Sequence, residues 1–197
     1  MSVIEQPAPR RLRRFGAPLA LLALMWVVQG ADSILPGSFS GLGIRSWEPA
    51  GLVGIVAAPL LHASWPHLIA NSVPFLVLGC LVAAEGARRF WAVTAIVAVV
   101  GGLGTWIVNA PGTLTVGASG LVFGYFGYLV MRVFAPGRVS HRILYAVVAL
   151  AVIAVYGTAM LAGVFAAGAG VSWQGHLFGA IGGGVAAFAG RRGTRVA

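Results

Sequence analysis

The chain is expected to fold as an all-α polytopic membrane protein, a bundle of six transmembrane helices, and three observations carry that expectation. Of its 197 residues, 59% are hydrophobic and only 9% charged, where soluble domains carry about a quarter charged residues. Several apolar stretches approach the roughly 20 residues needed to cross a hydrocarbon core. The 13 basic residues are all arginines, and every one except Arg45 lies in a tail or in one of two alternate inter-helix loops, the bias that keeps basic residues cytoplasmic.

The elements follow in order. The first span covers Phe15 to about Val28, or on to Leu35, behind Arg10, Arg11, Arg13 and Arg14. Its apolar run lacks a clear small-residue cleavage site, so it reads as a membrane helix rather than a removed leader. A long external loop, about Gly30 to Trp65, contains the apolar run Leu52–Leu61. That run is too short to span, and Pro59 limits any helix there, so an interfacial or re-entrant piece is expected. The second span, Pro66–Ala84, starts behind Ser64 as a helix cap with Pro66 near the first helical position. Arg88 and Arg89 precede the third span, Phe90–Val108. The fourth, Ser119–Val133, is followed by Arg132, Arg138 and Arg142, the fifth is Ile143–Gly163, and the sixth is Gln174–Gly190. Residues 1–14 and 191–197 are basic tails around one membrane domain, 15–190. Six spans put every arginine-rich segment on one side, so both termini are expected in the cytoplasm.

This topology places the polar residues. Even-numbered spans start on the external side, so His67, Ser119 and His176 each fall in the first turn of a different helix, with Asn71 one turn below His67. Fifteen residues from Ser119 to Val133 make only about 22 Å of helix, against a core of about 30 Å. The segment Pro111–Gly117 is therefore expected to descend into the membrane as irregular backbone, which is tolerated only in a protein interior or beside a water-filled cavity.

The chemistry of these residue types is specific. A serine hydroxyl needs an adjacent base to act as a nucleophile, and His176 is the candidate. Gly179 and Gly183 form a small-residue face on the sixth span, opposite Gly120, Gly124 and Gly127 on the fourth, which lets two helix backbones approach closely. Phe123, one turn after Ser119, is placed to stack on the imidazole. Asp32 and Glu48 lie in the external loop region and Glu85 on the cytoplasmic side, so a Ser–His dyad is expected rather than a triad. His67 and Asn71, four residues apart on one helix face, with the first-turn amide of Ser119, are candidate donors for a tetrahedral oxyanion.

These residues resemble the rhomboid family of intramembrane serine proteases. The Gly-x-Ser-Gly motif is Gly117-Ala118-Ser119-Gly120; the second-span pattern is His62, His67 and Asn71; the sixth-span pattern is His176, Gly179 and Gly183. The resemblance implies a six-helix fold over residues 15–190, with Ser119 as nucleophile, His176 as general base and acid, and His67, Asn71 and the Ser119 amide around the oxyanion. It also implies cleavage of single-pass transmembrane substrates in or near the membrane, with no metal or other cofactor. Phe123 stands where many relatives have tyrosine, which keeps stacking and removes a hydroxyl.

Other readings are weighed on the same residues. The net charge of +9 is distributed by membrane topology, so no nucleic-acid partner is expected. No His-Glu-x-x-His run accompanies the histidines, which speaks against a zinc centre. Cys80, the single cysteine, reads as a small lipid- or core-facing residue, His62 as a loop residue before the second span with a solvated or structural role, and His141 as solvated in a basic cytoplasmic loop. Trp65, Trp91, Trp106 and Trp173 read as interfacial anchors. A catalytically silent binder of transmembrane helices is the competing class, though it needs neither Ser119 nor His176. A transporter is disfavoured because no inverted repeat is visible. Arginine without lysine points to a GC-rich bacterial genome and a plasma-membrane location. Oligomeric state is not legible.

Overall fold

Residues 13–135, 139–166, 168 and 170–189 are described by a computed structural model. The termini and the other residues lie outside it, including Gly190 at the expected end of the sixth span. The described chain is almost entirely helical: α1 (Gly16–Ile34), a four-residue α2 (Gly54–Ala57), α3 (Trp65–Ala83), α4 (Ala87–Val108), α5 (Ser119–Met131), α6 (Val139–Phe165) and α7 (Trp173–Phe188). The six long helices match the six expected spans to within a few residues at each end. α6 starts earlier than expected, so His141 lies exposed in its first turn rather than in a loop.

Four of these helices, α1, α3, α4 and all but the first residues of α6, are long and apolar enough to cross a membrane. α5 and α7 are shorter, with 13 and 16 residues. They form the centre of the bundle. α7 packs against α5 and α4, α3 lies on the other flank of α5, α1 covers α3, and α6 touches α5 and α7 along one edge. Most of α6 faces outward, with Leu144, Val147, Leu150, Val155 and Leu161 exposed, as an apolar helix in lipid requires.

Glycine sets the closeness of α5 and α7. A Cβ at Gly183 would lie 2.6 Å from the Tyr128 nitrogen, and one at Gly179 3.0 Å from the Gly120 carbonyl carbon. Real Cβ atoms do not approach backbone so closely. Lipid tails are as apolar as leucine, so backbone proximity rather than hydrophobic sorting selects this pair. Larger side chains fill the far end, where Phe75, Phe90 and Tyr125 are fully buried.

At that far end the helices are tied by charge. Glu85, between α3 and α4, accepts from Tyr128 Oη (2.7 Å), Arg132 Nε (3.1 Å) and Arg132 Nη2 (2.7 Å). Arg89 donates to Tyr128 Oη and to the carbonyls of Ala186 and Ala189 at the end of α7. Burial alone would raise the Glu85 carboxyl above its ordinary pKa, but hydrogen bonds from Arg132 and Tyr128 outweigh it and hold the group below that value.

The loop between α1 and α3 is more ordered than its sequence advertises. Ile44–Arg45 (β1) pairs antiparallel with Leu114–Thr115 (β2), Ile44 opposite Thr115 and Arg45 opposite Leu114. The Ser46 amide donates to Thr113 O (3.0 Å) and the Gly112 amide to Ser46 O (2.9 Å). Trp47 and Trp106 stack with centroids 5.9 Å apart, and their indole N–H groups donate to Asn109 O and Glu48 O. Trp106, read as an interfacial anchor, therefore serves to pin the loop. The apolar run becomes a 3-10 turn at Pro49–Val53, then α2, then a 3-10 turn at Ala58–Leu60 that contains Pro59. Proline is accepted there because it stands at the start of its turn.

Candidate active site

The segment 110–118 runs down from α4 and turns into α5 at Ser119. Two contacts hold the turn. The Gly117 amide donates to Ala58 O (2.9 Å), and the Ala118 amide donates to His62 Nε2 (3.3 Å). Gly117 adopts φ +120, a conformation that favours glycine, and a Cβ there would stand 2.7 Å from His67 Cε1. Backbone conformation and the neighbouring imidazole thus both require glycine ahead of the serine.

The turn delivers Ser119 Oγ to 2.9 Å from His176 Nε2. His176 lies one turn into α7, whose first turn is capped by Ser172 Oγ accepting from the Gly175 amide (3.2 Å). The imidazole stacks on Phe123, with ring centroids 3.9 Å apart and planes 7° from parallel. Its other nitrogen, Nδ1, is 2.8 Å from the carbonyl oxygen of Gly163 on α6. The dyad residues expected from sequence are brought together, and the stacking partner is the expected one.

Ser64 caps α3, its Oγ accepting from the His67 amide (3.3 Å), with Pro66 in the first turn. That start places His67 and Asn71 on the wall facing Ser119. His67, Asn71, Ser119 and His176 all line one cavity of about 840 Å³, bounded by α3, α4, α5, α7 and the loop between α1 and α3. Asn71 Nδ2 donates to His67 O, which leaves its second amide hydrogen available. The Ser119 amide has no hydrogen-bond partner among the described residues, as the first turn of a helix allows.

His62 was legible as a motif residue but not in its role. It is buried, and its ring packs edge-on against His67 with centroids 5.2 Å apart. Because Nε2 accepts from the Ala118 amide, the neutral ring carries its hydrogen on Nδ1. Burial, then the neighbouring His67, pushes the His62 pKa down to about 4. Two further contributors were not anticipated. The Ala58 carbonyl anchors the turn, and α4 lines the cavity with Val97, Gly101 and Thr105. No sequence signal marks a backbone carbonyl in a loop.

A predominantly helical membrane bundle holding a hydrogen-bonded serine and histidine in a cavity defines a narrow class. The chain belongs to the rhomboid family: the Rhomboid domain family model matches residues 49–193. It is 42% identical to an uncharacterized protein of Mycobacterium tuberculosis over 86% of this chain and 72% of that one. An uncharacterized protein of Mycobacterium leprae is 40% identical over 93% and 75% of the two chains. A Bacillus subtilis protein named "Putative rhomboid protease YdcA" is 30% identical over 84% and 82%.

Proposed function

We propose that the protein is an intramembrane serine endopeptidase that cleaves single-pass transmembrane substrates in or near the membrane. The observation that carries this reading is the 2.9 Å contact between Ser119 Oγ and His176 Nε2 on the wall of a cavity within an apolar bundle. An ionisable group at such depth is costly and by default marks function. In the proposed reaction Ser119 Oγ attacks the scissile carbonyl carbon while its proton passes to His176 Nε2. His67, the free Asn71 amide hydrogen and the Ser119 amide receive the oxyanion, helped by the positive end of the α5 dipole. His176 then gives the proton to the leaving amine, the C–N bond breaks, and water entering the cavity hydrolyses the acyl-serine by the reverse proton path.

All six long helices are taken to span the membrane, α5 and α7 starting below the outer surface under the external loop. The arginine bias then puts both termini in the cytoplasm, and the bacterial relatives fit a plasma-membrane location. A substrate helix must unwind to reach Ser119, so segments rich in Gly, Ala or Ser are favoured, glycine having low helix propensity; equal cleavage of an all-leucine helix would refute that preference. The test of the activity is a single-pass reporter in liposomes with the wild type, Ser119→Ala and His176→Ala. Cleavage by the wild type alone, with all three folded, supports the protease. Binding without cleavage in all three supports the helix-binding class instead.

A further inference from the structure

We propose that the backbone carbonyl of Gly163 on α6 is the positioning group for His176, filling with a peptide oxygen the role that a carboxylate fills in a three-membered site; this rests on the dyad reading above. The contact is 2.8 Å, from Gly163 O to His176 Nδ1. A carbonyl can only accept, so Nδ1 must carry the hydrogen, and the lone pair is left on Nε2. Nε2 is the atom that faces Ser119 Oγ at 2.9 Å. The Gly163 oxygen therefore selects the one neutral tautomer able to take a proton from the serine.

Three features make this oxygen suited to the task. First, α6 ends at Phe165, so Gly163 is among the last four residues, whose carbonyls have no partner further along the helix. Second, helix C-termini carry partial negative charge, which favours the imidazolium that forms when His176 takes up the proton. Third, residue 163 has to be glycine for the ring to reach the oxygen. A Cβ there would lie 2.5 Å from Phe123 Cζ and 3.0 Å from His176 Nδ1. The imidazole is thus fixed by Phe123 on its face, Ser119 at one nitrogen and Gly163 at the other. The acids among the described residues do not compete. Asp32 accepts from the Phe39 amide, Glu48 pairs with Arg45, and Glu85 is held by Arg132 at the far end of the bundle.

The test weakens the oxygen without touching a side chain. Replacing Val164 by its α-hydroxy-acid analogue through nonsense suppression converts the Gly163 peptide carbonyl into an ester carbonyl, a poorer acceptor. The same replacement at Leu161, which leaves the Gly163 oxygen as an amide, controls for loss of a helix hydrogen bond. Two readouts are taken: the rate at which a fluorophosphonate labels Ser119, and the 15N shifts of His176, assigned by difference against His176→Ala. The 164 ester is expected to slow labelling about 10- to 100-fold, below the 10⁴ lost when a charged orienting group is neutralised. It is also expected to replace the single Nδ1–H tautomer by a mixture, while the 161 ester changes neither. Gly163→Ala should slow labelling as well. Unchanged labelling and an unchanged His176 spectrum in the 164 ester would overturn the proposal. If the wild type itself resists labelling, the protease reading fails, and the 15N spectra still decide whether Gly163 sets the tautomer.

Discussion

Gly179→Ala is the sharpest test of how helix packing creates the site. A Cβ at this position would stand 3.0 Å from the Gly120 carbonyl carbon and closer still to its oxygen, where ordinary contact begins near 3.4 Å. Both partners are helix backbone, which cannot rotate aside as a side chain does. α7 must therefore withdraw from α5 by about 1 Å. Gly120 is next to Ser119, and His176 is one turn from Gly179 on the same face. The 2.9 Å Ser119–His176 bond would lengthen past hydrogen-bond range, and a misplacement of about 1 Å costs about 100-fold in rate. Overpacking should also cost about 1–3 kcal/mol of stability. Gly184→Ala is the matched control on the same helix, since a Cβ there meets only Met131 Cγ at 3.7 Å. Reporter cleavage and fluorophosphonate labelling in liposomes, beside thermal unfolding, read both effects. Wild-type rates in folded Gly179→Ala, or an equal loss in Gly184→Ala, would refute the claim that this glycine contact sets the dyad distance.

Three other outcomes follow from the structure. His67→Ala and Asn71→Ala are each expected to lower kcat about 100-fold with little change in KM, as loss of an oxyanion donor does; an effect confined to KM would move these residues to substrate binding. Because His62 has a folded pKa lowered to about 4 from 6.5, the unfolded chain binds the extra proton first as pH falls between those values. Its contribution is fully present above pH 6.5 and lost on acidification towards 4. The apparent Tm should fall over that window, with His67 the adjacent titrating ring, and His62→Gln should flatten the fall; an identical profile would refute the assignment. Finally, Arg132→Ala strands the Glu85 carboxylate and should cost about 3 kcal/mol in thermal unfolding, while Glu85→Gln, which keeps an acceptor for Tyr128, should cost less; the reverse order would show that the charge pair is not what ties α3 to α5.

Helix number, their order and the candidate dyad were legible because each rests on local information. Apolar length sets a helix, and Gly-x-Ser-Gly and His-x-x-Gly spacings put small residues on the face that carries the reactive one. Ser64 and Pro66 announced the start of α3 because capping depends on a few adjacent residues. The placement of His67, Ser119 and His176 in the first turns of their helices followed from counting turns. Phe123 was legible for the same reason, one turn below Ser119.

Other parts needed the folded chain. The loop between α1 and α3 carried no periodic signal, and its form comes from pairing with residues about 60 to 70 positions away, Ile44–Arg45 against Leu114–Thr115 and Trp47 against Trp106. Trp106 could not be told from a lipid anchor until its indole met Glu48 O. Two of the groups that hold the site are backbone atoms, Ala58 O for Gly117 and Gly163 O for His176. Every residue has a carbonyl, so composition and spacing cannot mark the ones that end up holding the nucleophile turn or an imidazole. Sequence chose the reactive side chains and the helices that carry them. Tertiary structure chose the oxygens that hold them in register, because the meeting of α6 and α7 brings Gly163 O within 3 Å of His176, and the approach of the Ala58–Leu60 turn to the segment before α5 brings Ala58 O within 3 Å of the Gly117 amide.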